Sequence, residues 1–129
     1  MLIPHPLKIR VVEPTLLEWT DIEPTCSEPH RWLGGYEHLE RAIELDPADQ
    51  IALKELVLIL LGQVSYSTHH LPVGYLGSAV KDFETLQRIE TLLPGILSDD
   101  DRAAYAAEVV EETAAIRGYL KKHPEGDKP

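Results

Sequence analysis

From Leu56 to Val80 the chain carries no Asp, Glu, Lys or Arg, although 26% of its 129 residues are charged. By composition alone such a window arises on the order of one time in a thousand for a given start point. Ionised side chains are seldom fully buried without partners, so the window predicts a buried central helix and the loop that follows it. Its other reading is an uncharged concave site lined by Tyr66, Thr68, His69, His70 and Tyr75.

The helix in this window is expected over 47–66, where Ile51, Leu53, Leu56, Val57, Leu58, Ile59, Leu60, Leu61 and Val64 are apolar nearly all round its middle. Its uninterrupted apolar run is only Leu56 to Leu61, short of the ~20 residues that cross a bilayer, so no membrane span is expected. Ahead of it, Ser27-Glu28-Pro29 offers a helix start, and Trp32, Tyr36, Leu39 and Ile43 follow at helical spacing to give a helix over 28–45. Asp46-Pro47 ends that helix and caps the next. Beyond a loop at Ser67 to Pro72, the residues Leu76, Val80, Phe83, Leu86, Ile89 and Leu93 trace a third helix over 72–93, stopped by Pro94-Gly95. Ser98 before Asp99, Asp100 and Asp101 starts a fourth over 99–122. Its apolar face uses Tyr105, Val109, Ile116 and Leu120, and it closes on Lys121 and Lys122.

Residues 1–26 hold Pro4, Pro6, Pro14 and Pro24, which remove backbone donors and bias their predecessors toward extended conformations. This segment is expected to be an extended arm, with a half-buried strand where Leu7, Ile9 and Val11 alternate with Lys8 and Arg10. A capping-box spacing at Thr15-Leu16-Leu17-Glu18 adds a single helical turn leading into Trp19. Residues 27–123 then form one helical domain and 124–129 a disordered polar tail.

Asp and Glu number 22 against 12 for Lys and Arg, a net charge of -10 that argues against nucleic acid and anionic membranes as partners. It favours a protein or peptide, above all a basic one. Cys26 is the single cysteine, so no internal disulfide is available, and Met1-Leu2-Ile3-Pro4 lacks a secretory signal; the expected location is cytoplasmic.

His69-His70 is the most metal-like feature, yet adjacent histidines diverge on a helix, and further ligands would have to come from His30, His38 or an aspartate. Cys26 with His30 suggests a thiol nucleophile, but the proline-rich flanks and the lack of an oxyanion device favour a structural thiol. The three aspartates suit a helix start better than a calcium loop, and Gly34-Gly35 and Gly74 to Gly77 lack the lysine of a phosphate loop. No catalytic residue, cofactor or metal is therefore expected. The candidate partner-binding residues are Trp32 and Tyr36, which share a face of the first helix, together with Tyr66, His69, His70 and Tyr75.

The stretch from Arg41 to Ala52, with Ala42 followed by Leu45-Asp46-Pro47, resembles the junction between consecutive tetratricopeptide repeats. In that register Trp19 and Gly35 also fall at the family's Trp and small-residue positions, while Pro24 stands where the repeat's first helix should continue. A shift of one repeat places Leu53 and Leu56 acceptably but sets His69, Val73 and Lys81 where small, aromatic and proline residues belong, so the resemblance is partial and covers about residues 19–53. It implies protein or peptide binding. The expected fold is all-α, about four antiparallel helices in a tetratricopeptide-like or bundle array with a Pro-rich arm, and the expected role is a non-enzymatic interaction module. Two alternatives stand beside it: an acidic immunity or antitoxin-like protein that neutralises a basic toxin, and a small metal-dependent enzyme built on His69 and His70. The arm strand could pair with its copy in a homodimer.

Overall fold

The computed structural model describes residues 12–69, 75 and 77–122. Among them the regular structure is helical throughout: α1 (Glu13–Ile22), α2 (Glu28–Leu33), α3 (Gly35–Leu45), α4 (Gln50–Thr68), α5 (Ala79–Leu92), a 3-10 turn (Leu93–Gly95) and α6 (Asp99–Lys122). The expected all-α class holds, with six α-helices among the described residues where four were expected. The arm strand at Leu7 to Val11, the tail at 124–129 and His70 lie outside the described residues. The chain divides into two compact units, Met1–Leu56 and Val57–Pro129, with the division inside α4.

In the first unit, the single helical turn expected at Thr15–Glu18 is a full helix, α1, which replaces extended chain over Glu13–Ile22. Pro14 sits in its first turn, where the missing N–H has no helical partner to lose, and the helix continues until the next proline forbids it. That limit is Pro24: the residue before it, Glu23, leaves the helical region at φ -127° and ψ 75°, while its N–H still donates to Trp19 O at 2.9 Å.

The helix expected over 28–45 is broken by two glycines. Gly34 at φ 70° and ψ -170°, and Gly35 at φ 77°, occupy conformations that a side chain resists, so the chain leaves α2 and starts α3 in a new direction. Pro29 is buried on α2, and α3 buries Leu39, Ala42 and Ile43.

Asp46 and Pro47 do not open α4 as expected. Asp46 instead accepts the Ala48 N–H through its side chain at 3.1 Å and the Asp49 N–H through its carbonyl at 3.1 Å, closing a turn. Asp49 is the cap: its Oδ1 accepts the Ala52 N–H at 3.1 Å, and its carbonyl accepts the Leu53 N–H at 2.9 Å. Its other oxygen, Oδ2, accepts Arg31 Nε at 2.9 Å and the Ser27 hydroxyl at 3.3 Å. The Asp49 side chain is 2% exposed, so its charge is compensated by donors from three places in the chain rather than by water.

α4 is less enclosed than its composition suggests. Leu53, Leu56, Val57, Leu60, Leu61 and Val64 are buried, whereas Leu58, Gly62, Gln63 and Tyr66 are exposed. By length and composition alone it could cross a membrane, with mean hydropathy 1.3 over an 18-residue window, although no unbroken apolar run reaches that length; 44% of that window is buried.

In the second unit, α5 begins at Ala79 rather than near 72, with Ser78 Oγ accepting the Lys81 N–H at 3.3 Å. Its buried face is Ala79, Asp82, Leu86, Ile89 and Leu92; of the expected stripe Leu86, Ile89 and Leu93 are buried, whereas Val80 is exposed and Phe83 half-buried. Asp82 joins that face as an inward carboxylate, accommodated because Tyr75 Oη donates to its Oδ2. α6 has the expected bounds. Ser98 Oγ accepts the Asp101 N–H at 3.3 Å, and Val109 and Ile116 are buried. Glu112 accepts the Thr68 hydroxyl at 2.7 Å, tying the last turn of α4 to the middle of α6.

Three substitutions check these assignments. Gly34→Ala is expected to destabilise by about 1–3 kcal/mol in denaturant unfolding because of its backbone conformation. Gly62→Ala, on an exposed helical position where an added Cβ meets nothing within 4 Å, is expected to stabilise by up to about 1 kcal/mol. Arg31→Ala, which strands the buried Asp49 carboxylate, is expected to cost about 3 kcal/mol in the same assay.

Candidate functional site

The described candidates fall into two groups. Trp32 lies in the last turn of α2 and Tyr36 in the first turn of α3, both in the first unit; they are 39% and 46% exposed. The glycine break puts them on different helices rather than on one helical face. The Arg31 guanidinium lies 5.6 Å from the Trp32 ring centroid, a cation held against the aromatic face.

Tyr66, His69 and Tyr75 belong to the second unit. Tyr66 is 68% exposed on α4, and Leu58, two turns earlier on the same helix, is 54% exposed. Gly62 lies between them at helical spacing, so the three mark one uncharged face. Beside Tyr66 runs an open groove of about 620 Å³, bordered on α4 by Ile59, Gly62 and Gln63 and on α5 by Lys81, Asp82 and Thr85. His69 is exposed just past the end of α4. Tyr75 is half-buried, with its hydroxyl on Asp82 and its ring 4.9 Å from that of Tyr119 on α6.

Asp82 was not legible as part of this region. Gly77 is the local signal that a close approach occurs here, since a Cβ at that position would overlap the Ser67 hydroxyl and lie 3.5 Å from Asp82 Oδ2. Thr68, expected to line the site, is half-buried and engaged with Glu112. A second groove of about 590 Å³, near Leu93, Pro94 and Ala106, also borders Arg102, whose guanidinium is already held by Ile96 O at 2.7 Å and by Asp99.

Back in the first unit, His30 on α2 and His38 on α3 meet with their Nδ1 atoms 3.1 Å apart. Burial holds the His30 pKa below its ordinary 6.5, and the His38 ring and the Arg41 guanidinium push it the same way. Cys26 is a half-buried free thiol. Among the described residues, no three His, Cys, Asp or Glu side chains gather as a metal centre. No protein-family model matches the chain, and no curated protein or solved structure matches it significantly.

The lowered His30 pKa sets a sign for pH dependence. The folded state favours neutral His30, so this contribution is complete above about 6.5 and is lost as pH falls through 6.5 toward the lowered folded value. Denaturant unfolding at pH 7.5 and 5.5 is expected to show a smaller loss of stability on acidification for His30→Gln than for the wild type.

Proposed function

We propose that the chain is a non-enzymatic protein-binding module that receives a protein or peptide partner on the uncharged face of α4 and in the groove beside it. The observation that carries this reading is the exposure of Leu58 and Tyr66, at 54% and 68%, within a sequence window free of ionised side chains. An association surface must shed its water. Charged groups make that costly, whereas an aromatic side chain with few rotatable bonds supplies contact area at low entropic cost.

The groove gives such a surface a recess into which a partner side chain can enter, with Lys81 and the Thr85 hydroxyl at its α5 edge. The net charge of -10 supports a basic partner through faster encounter at low salt. The tetratricopeptide-like junction at Leu45-Asp46-Pro47 adds support of a different kind, since helix pairs of that family bind peptides. A cytoplasmic location is part of the same proposal, resting on the unpaired thiol of Cys26.

A photoreactive phenylalanine analogue placed at residue 66 tests it in the native cell. Irradiation is expected to yield one dominant protein adduct, diminished by Leu58→Asp. The same analogue at Val110, exposed on α6, is expected to yield none. Equal labelling from both positions, or no adduct from residue 66, would overturn the proposal.

A further inference from the structure

On an unbroken helix, residues eight apart are separated by about 12 Å along the axis, so His30 and His38 could not touch. They meet because Gly34 and Gly35 turn the chain between them at positive φ, bringing a residue of α2 against one of α3. Their ring centroids lie 5.3 Å apart, while the two Nδ1 atoms are separated by only 3.1 Å. The rings therefore converge on their Nδ1 edges.

Two neutral imidazoles in this arrangement can share one proton, with one Nδ1 donating and the other accepting. They can also present both lone pairs to a single cation. Metal–nitrogen bonds of about 2.0–2.1 Å place two ligand nitrogens about 2.9 Å apart at a right angle and about 3.3 Å apart at a tetrahedral angle. The observed 3.1 Å lies between these values.

We propose that His30 and His38 form a two-imidazole site for a divalent late first-row metal ion such as Zn2+, whose remaining coordination positions are filled by water. Imidazole nitrogen selects ions of this kind over Mg2+ and Ca2+, which prefer oxygen. The site is open rather than structural, because no third protein ligand joins it among the described residues. The nearby cation Arg41 opposes a bound metal ion, and its guanidinium is paired with Glu44 at 3.0 Å, which offsets that charge.

Zinc chloride titrated into full-length protein, followed by nitrogen NMR of the histidine rings, tests the assignment. The Nδ1 resonances of His30 and His38 are expected to shift together and to saturate at one equivalent. The response is expected to disappear in His30→Gln and in His38→Gln and to persist when His69 and His70 are both changed to Gln. Because the wild-type rings are observed directly, misfolding of a variant does not shield the proposal. Unmoved His30 and His38 resonances at stoichiometric zinc, or saturation that requires only His69 and His70, would overturn it.

Discussion

The Asp49 carboxylate is the point on which the first unit turns. One oxygen starts α4 through the Ala52 N–H, and the other holds Arg31 from α2 and Ser27 from the segment before α2. A carboxylate that is 2% exposed has given up its water, so these donors are requirements of burial rather than additions to it. The direction in which α2 leaves its start and the place where α4 begins are thereby fixed by one side chain. The Asp46 turn precedes it and delivers the backbone in position for it.

Helix ends were legible where a local rule had no competitor. Ser98 followed by three acids gave α6 its start, and Lys121 and Lys122 its close, because capping and dipole effects act within one turn. The start of α4 was missed because Asp46 and Asp49 are equally good caps by type. Arg31 and Ser27, distant in sequence, distinguish them. The Gly34-Gly35 break was missed for a related reason: Trp32, Tyr36, Leu39 and Ile43 keep helical spacing across it, and spacing does not register the sign of φ. Pro14 was read as a helix breaker, although in a first turn it is compatible with the helix it begins.

The uncharged window shows how far a burial argument reaches. Absence of charge marked α4 as the apolar element, and Leu53, Leu56, Val57, Leu60, Leu61 and Val64 bear that out. It could not separate the buried side from the exposed one, because Leu58 and Tyr66 are apolar for reasons that burial does not supply. The α5 stripe held at Leu86, Ile89 and Leu93 but erred in the opposite sense near its start. Asp82 takes an inward position by finding the Tyr75 hydroxyl, and a pattern built on apolar residues passes over a buried acid. Of the candidate residues, Tyr66 came with a groove, whereas the meeting of His30 and His38 depended on the break that periodicity concealed.

The ion pairs of this chain also respond unequally to the surrounding electrolyte. Arg41–Glu44 and Arg102–Asp99 join neighbours on single helices at the surface, where dissolved ions readily weaken them. Arg31–Asp49 is largely sheltered from such screening. Meanwhile the excess of acidic groups repels itself across the surface, a strain that added salt relaxes. Rising ionic strength thus loosens the surface pairs and the mutual repulsion together, while the Arg31–Asp49 contact keeps its hold.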